Sequence, residues 1–397
     1  MTRRTVIITD GEQRAALAVV RSLGVEYRCV VASSSRGALA AVSRFCARAV
    51  VVPDPLRQPN EFAQAIIELA AKESASVILP IAEPALLAIL PVRERLAPAV
   101  VPFPDIADVN ALNDKHRLLE EASQLGIAIP AQQVLPHRHE IDSIDLSALS
   151  FPVVLKPARS VAEVSGERIK VSVAYAANAD DLRRKVASLP SASFPLLVQQ
   201  RVIGPGVGVF LLLWDGVVKA QFAHQRLCEK PPTGGVSVYR ESIALDESLL
   251  AKSRALLERF RWRGVAMVEY KLDSSTGKPY LMEVNGRFWG SLQLAIDAGV
   301  DFPRLLIAAA LGEEVPSQLS YKIGVRSRWW WGQVDHLLNR IRRRQSVPGL
   351  PPGTASTSRV LGDLLLGPFR HEDYEEILWW NDPGPFLNET VRWVSAR

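Results

Sequence analysis

The sequence predicts an α/β protein with a parallel-sheet domain at the amino end, a middle region of paired strands, and a helical carboxyl end. Three observations carry this. Residues 1–105 alternate short apolar strands with helical patterns, which means a parallel sheet covered on both faces. Between about 150 and 290, apolar runs flank Gly-containing turns, the mark of hairpins and adjacent antiparallel strands. After Tyr321 the composition shifts, and six of the nine tryptophans lie there.

In chain order, Val6–Ile8 reads as a strand, Glu12–Leu23 as a helix, and Cys29–Ala32 and Val50–Val52 as strands. Glu61–Lys72 is helical, Val77–Ile81 a strand, Glu83–Leu96 a helix, and Val100–Pro102 closes the set. The loops Thr9–Gly11 and Ala82–Pro84 stand at strand carboxyl ends, where such sheets bind ligands. The first turn lacks Gly-x-Gly-x-x-Gly, which argues against a nicotinamide-type dinucleotide site.

Pro102–Asp105 reads as a linker, and Asn113-Asp114-Lys115 opens a helix that Gly126 stops. Pro152–Pro157 is a buried strand carrying Lys156, with Ile169–Val173 as its expected hairpin partner. Asp180–Ser188 is an amphipathic helix, and Leu196–Gly204 a strand running into a Pro/Gly turn. Val207–Leu213 and Val217–Phe222 make a hairpin around an Asp215-Gly216 turn, and Pro231–Gly235 is a loop. Glu247–Phe260 is a helix, and Leu292–Leu311 is helical with a break at Gly299–Pro303. In the tail, Trp330, Trp331, Val334, Leu337, Leu338 and Ile341 share one helical face, expected to dock on the body, with a basic run at Arg340–Arg344. Val347–Thr357 reads as a loop and Asp373–Trp380 as another helix.

The totals bound the function. A chain of 397 residues is too long for one core. Apolar content of 48% and charged content of 22% are those of an ordinary globular protein. A net charge of +5 makes no case for a nucleic-acid partner. Cys29, Cys46 and Cys228 have unrelated spacings, so neither disulfides nor zinc are indicated and a cytoplasmic location is expected. No signal peptide or transmembrane run is apparent. The Trp-rich, basic tail leaves open a peripheral membrane contact, and the sequence does not exclude a homo-oligomer.

The chemistry concentrates in Val265–Ser291. Two apolar runs flank a turn, and each carries a carboxylate, Glu269 on the first and Glu283 on the second. Period-2 alternation sets Glu283, Asn285 and Arg287 on one face. Three oxygen ligands beside an arginine suit a magnesium ion bridging phosphates. Lys156 ends an apolar strand and Lys115 starts a helix, and a lysine among apolar neighbours is costly unless it meets an anion.

This order of residues resembles the ATP-grasp superfamily, the fold of biotin carboxylase, carbamoyl phosphate synthetase and D-alanine–D-alanine ligase. The likeness runs from residue 1 to about 315 and is strongest over 150–312. It implies that Lys115 and Lys156 contact the ATP phosphates and that Gln199, Gln200, Arg201 and Val202 hold adenine. It assigns Glu269, Glu283 and Asn285 to Mg²⁺, with two ions expected and Mn²⁺ as a substitute, and turns Arg287 toward the reacting substrate. His224 and Arg226 fit a His-x-Arg strand that brings cations to phosphate or acyl group, and Lys230 stands beside the Pro231–Gly235 loop as a phosphate-covering candidate, with Arg159 as another. Phe288–Ser291 after the arginine, with Pro231–Gly235 upstream, resembles a group of predicted carboxylate–amine ligases.

Two departures stand out. The position where relatives often place a ribose-binding acid falls on Gly206, and the loop Ala158–Glu167 is not glycine-rich. The resemblance implies a pre-grasp domain (1–105), a lid (106–197), a main sheet with the metal site (198–315) and a helical extension (316–397). The expected activity is ATP- and Mg²⁺-dependent joining of a small-molecule carboxylate to an amine through an acyl phosphate. A bicarbonate-using carboxylase or carbamoyl-phosphate-type enzyme, and a non-catalytic nucleotide-binding module, are the alternatives.

Overall fold

The computed structural model describes residues 3–164, 167–232, 234–342 and 355–397. The amino-terminal unit comprises β1 (Thr5–Ile8), α1 (Arg14–Leu23), β2 (Arg28–Ser33), β3 (Arg48–Val51), α2 (Pro59–Glu73), β4 (Ala75–Leu79) and α3 (Glu83–Ile89). Its strands pair in parallel in the order β3-β2-β1-β4. Alternate residues serve the two faces: Ile7, Val30 and Ile78 enter one core, and Val6, Ile8 and Val31 the other. The small apolar residues of α1, Ala15–Val20, are all buried, which lets that helix lie close against the sheet.

Helices α4 (Ile106–Asn113) and α5 (Lys115–Gln124) follow, the latter capped by the Asp114 side chain on the backbone N–H groups of His116 and Arg117. The segment expected to form the lid, hereafter the lid, contains β5 (Gln132–Leu135), β6 (Val153–Pro157), β7 (Val161–Val164), β8 (Glu167–Lys170), β9 (Ala174–Ala176), α6 (Ala179–Ser188) and β10 (Leu196–Gln200). Its antiparallel sheet runs β5-β10-β6-β9, and β7 pairs with β8 separately. The expected pairing of Ile169–Val173 with the lysine strand is therefore corrected. Strand β8 folds back on β7 within the segment expected to be a loop, and β6 takes β10 and β9 as neighbours. Strand β10 belongs wholly to the lid sheet, so the expected boundary at 197/198 crosses a strand.

The main sheet is built from β11 (Gly206–Trp214), β12 (Val217–Lys230), β13 (Val236–Ser242), α7 (Glu247–Arg259), β14 (Gly264–Leu272), β15 (Pro279–Asn285), α8 (Leu292–Asp297) and α9 (Phe302–Ala310). The hairpin turn at Asp215-Gly216 takes positive φ at both residues, 50° and 74°, as a type I′ turn requires. Strand β11 is buried along its whole length because both faces are covered, Val209 and Leu211 in one core and Phe210 and Leu212 in the other. Those are the cores of the amino-terminal sheet, so the two units share one packed interior.

The carboxyl end adds β16 (Arg326–Arg328), α10 (Trp330–Arg342), α11 (Thr357–Leu366), β17 (Asp373–Glu375) and α12 (Gly384–Ser395). The sheet order is β15-β14-β11-β12-β13-β16-β17. The helix expected at Asp373–Trp380 is thus a strand and turns. Pairing with the open edge of β16, secured by Arg328 on Asp373, outweighs local helical spacing.

The docking of α10 is also corrected. Its buried face is Gly332, Gln333, Asp335 and His336, with Lys230 on Asp335 and the His336 ring 2.6 Å from the Glu229 carbonyl. A β-carbon at Gly332 would lie 2.8 Å from Val238, which is why a glycine permits this approach. Helix α10 does pack on β12 and β13 of the body, but of the expected stripe Trp331 turns to the tail's own α12. Trp331 stacks on Trp393 of α12 at 4.0 Å between ring centroids, and Ile341 stays exposed. Most of the Val347–Thr357 loop and the end of the Arg340–Arg344 run lie outside the described residues.

Candidate active site

Between the lid and the main sheet lies a cavity of about 460 Å³. The lid contributes Val154, Lys156, Gln199 and Gln200, followed by Arg201 and Val202. Alternation on β6 explains why Lys156 is there: Val153 and Leu155 fill the lid core, so Val154 and Lys156 turn outward. The main sheet contributes Arg226, Glu269, Glu283, Asn285 and Arg287.

Glu269 and Glu283 are direct partners in the β14–β15 register. Two opposed carboxylates inside a protein repel unless cations attend them. Arg226 donates to Glu269 at 2.5 Å and to Glu229 at 3.0 Å. A line of side-chain hydrogen bonds runs from Arg287 to Asn285 Oδ1, and from Asn285 Nδ2 to Glu283, both 3.0 Å. Burial holds the Glu269 carboxyl above its usual range despite Arg226. Burial works against Glu283 too, but Lys115, the Asn285 amide and Lys156 outweigh it and keep that carboxyl below the usual range. For Arg226, burial opposes the charge, while Glu269 and Glu229 more than restore it.

Lys156 is poorly satisfied for a cation in this setting. It makes no ion pair among the described residues, and its hydrogen-bond partner is Met282 Sδ at 3.9 Å. Burial lowers its pKa, with Glu283 and Glu269 opposing the shift. An ammonium in this position is ready for an anion. Lys115 lines an adjoining hollow with Glu83, Glu283, Asn285 and Arg287, and donates to Ser160 at 2.8 Å.

Three expected residues are placed elsewhere. His224 is fully buried behind the cavity with Phe210 edge-on at 4.7 Å, and burial keeps its ring neutral. Lys230 turns to Asp335 and lies over the Trp329 ring, so it does not line the cavity. Arg159 is an exposed residue near Asp114. From the Pro231–Gly235 loop, Gly234 and Gly235 reach the cavity wall.

Gly206 has a steric reason to lack a side chain. A β-carbon there would lie 2.9 Å from Arg226 Cδ, so an acid at this position would displace the arginine that reaches Glu269. Cys228 is no candidate nucleophile, since burial pushes its thiol up to about 11.

The structure also brings in residues with no local sequence signal. Arg14, Tyr175, Glu229, Ser237 and Lys271 line the cavity, and Glu83 lines the hollow. Glu83 belonged to a loop expected at a ligand-binding edge; the others are assembled only by tertiary pairing. Glu269, Glu283 and Asn285 form a hard oxygen donor set of two carboxylates and an amide, which fits Mg²⁺. The repulsion that remains between the opposed Glu269 and Glu283 carboxylates is the local reason a divalent ion would be favourable there.

A four-stranded sheet facing a larger, largely antiparallel sheet across a cavity, with a parallel-sheet unit alongside, is the arrangement of the ATP-grasp fold, and the chain has that fold. Residues 194–331 match the family described as "ATP-grasp in the biosynthetic pathway with Ter operon". No curated protein matches the sequence. Among solved structures, the chain is similar to an L-amino acid ligase from Bacillus licheniformis at 17% identity, covering 78% of this chain and 75% of that one, with a TM-score of 0.61. It is similar to the biotin carboxylase domain of 2-oxoglutarate carboxylase from Hydrogenobacter thermophilus, seen with MgADP and bicarbonate, at 15% identity, 82% and 74% coverage and a TM-score of 0.65. N5-carboxyaminoimidazole synthetase from Staphylococcus aureus with ADP gives 15% identity, 82% coverage of each chain and a TM-score of 0.62. No helix among the described residues is long and apolar enough to cross a membrane.

Proposed function

We propose that this protein is an ATP- and Mg²⁺-dependent ligase that joins a carboxylate to an amine, releasing ADP and phosphate. The observation that carries the reading is the opposition of Glu269 and Glu283 in one cavity with a half-buried Lys156 that has no ion pair among the described residues. That set lacks only a polyanion and a divalent cation to be satisfied. The amino-terminal unit (1–105) helps hold the acceptor, and the lid and main sheet clamp ATP between them.

Lys156 and Lys115 neutralise the triphosphate, and the strand end Gln199–Val202 holds the base. Glu269, Glu283 and Asn285 would hold one or two Mg²⁺ ions, which supply charge neutralisation for phosphoryl transfer. Arg287 presents a planar fork to the substrate carboxylate and orients it toward the γ-phosphorus. A carboxylate oxygen bonds to that phosphorus as the bond to ADP breaks. The amine nitrogen then bonds to the acyl carbon, phosphate leaves, and the nitrogen loses a proton. Arg226 begins on Glu269 and supports the charge that develops beside it.

The similarity to an L-amino acid ligase supports this reading, and that to a biotin carboxylase domain keeps bicarbonate as a competitor. The test is a screen of amine and carboxylate pairs for acceptor-dependent ADP release, with labelled bicarbonate as a parallel arm. ADP release that requires both partners is expected. Label incorporation from bicarbonate without an added carboxylate would replace the ligase reading with a carboxylase.

A further inference from the structure

One end of the cavity is built by segments far apart in the chain. On β14, Lys271, Glu269 and Met267 all line the cavity, at successive steps of about 7 Å along an extended strand. Met267 is paired with Asn285, one step beyond the carboxylate pair. Trp289 and Ser291 line the same cavity, with Trp289 packed on Phe210, itself paired with Met267. Here Arg14 enters from α1 of the amino-terminal unit.

The Arg14 side chain is 10% exposed and is held on three sides. One terminal nitrogen donates to Glu376 at 2.5 Å, and its guanidinium carbon lies 4.2 Å from the Trp329 ring centroid. The other terminal nitrogen is 3.5 Å from the Ser237 carbonyl, at the limit of a hydrogen bond. A β-carbon at Gly290 would come within 3.1 Å of that nitrogen, so glycine leaves space in front of it. Glu376 Oε2 is shared with Arg240, so one carboxylate oxygen serves two guanidiniums. Close by, the Ser237 hydroxyl, the Trp289 indole N–H and the second Glu376 carboxylate oxygen, Oε1, are buried and have no partner among the described residues. Glu376 Oε1 faces Arg240 and Arg14 without a hydrogen bond, yet the two unpartnered donors and the weakly engaged Arg14 nitrogen, 3.5 Å from the Ser237 carbonyl, still suit an acceptor with negative charge.

We propose that Arg14 recognises a carboxylate of the amine substrate at this end, and that Glu376 positions Arg14 for it. The carboxyl-terminal segment is then part of the substrate site, and the acceptor is an amino-acid-type molecule: its amine faces the reacting centre and its carboxylate faces Arg14. The inference rests on the ligase reading for which group reacts, but the anion preference is measurable without turnover.

Two measurements test it on the full-length protein. Amino acids and their carboxamides are compared as acceptors in the ADP-release assay, and separately as stabilisers in thermal unfolding with Mg-ADP present. The free acids should surpass the amides by on the order of 100-fold in kcat/KM, and they alone should raise Tm. Arg14→Met should remove most of that acid-over-amide ratio while the KM for ATP stays within about twofold. Glu376→Gln should lower the ratio part-way, which a purely structural role would not do. Acid–amide parity in an enzyme that turns over overturns the inference and leaves the ligase reading intact. Acid-specific stabilisation that Arg14→Met abolishes, in a protein without turnover, upholds the inference and counts against the ligase reading. Absence of both acid-dependent turnover and acid-dependent stabilisation overturns the inference.

Discussion

Glu269 and Glu283 face each other across paired strands, and each is costly there without a cation. Glu283→Ala should lower turnover by at least about 100-fold while leaving the protein folded. Arg287→Lys keeps the charge but loses the fork, so kcat should fall far more than ATP affinity; steady-state kinetics with a nucleotide-binding titration check both. These residues were legible because apolar strands reject carboxylates and because alternation aligned Glu283, Asn285 and Arg287. Arg14 was not legible: its contact to Glu376 spans 362 positions, and no local pattern announces it. His224 misled for the same reason, since a strand face does not say whether its far end opens to a cavity or to Phe210. A further residue gives a pH dependence. Burial pushes the Asp297 carboxyl up to about 7, with the Gln293 hydrogen bond opposing and Glu376 adding to the shift. The folded state thus holds this proton more tightly than the unfolded chain, and its stabilising effect is full below the ordinary pKa near 3.8 and gone above about 7. Asp297→Asn should therefore flatten the fall in stability between pH 4 and 8, by at most roughly 4 kcal/mol at 1.36 kcal/mol per unit. Denaturant melts of both proteins across that range measure it.

At the scale of elements, the carboxyl end is joined to the body through buried charge rather than through its aromatic stripe. Strands β16 and β17 extend the main sheet, and Arg328 meets Asp373 there with neither side chain exposed. Arg21 of α1 donates to Asp382 at 2.9 Å and to the carbonyls of Glu376, Ile377 and Asp382, all buried. Removing one partner of such a pair leaves an uncompensated charge. Asp382→Ala should cost about 3–5 kcal/mol, read as a lower denaturation midpoint at unchanged slope. Wild-type stability in that variant would show that the tail is not fastened there. Sequence periodicity located α10 well but not the face it presents. An apolar stripe says that something covers it, and here much of the cover comes from the tail itself, with Trp393 on Trp331. The strand at Asp373–Glu375 was missed because three residues hold too little period to outweigh the edge that pairs with them.

For the whole molecule, the strand–helix alternation of the first hundred residues and the hairpins of the middle region were enough to predict the fold, because each pattern reflects a sheet whose faces must be covered. What alternation does not contain is how the units close on one another. The cores that run without a break from the amino-terminal sheet into the main sheet, and the buried arginines that reach the tail, make the cavity a property of the entire chain. The central claim is that this cavity transfers the γ-phosphoryl group of ATP to a carboxylate. The most direct measurement uses the carboxylate found in the screen, labelled with ¹⁸O in both oxygens, in a single turnover with ATP and the amine, followed by mass analysis of the products. The account predicts ADP and a phosphate carrying one labelled oxygen, the other remaining in the amide. AMP with pyrophosphate, or phosphate free of label, would contradict it.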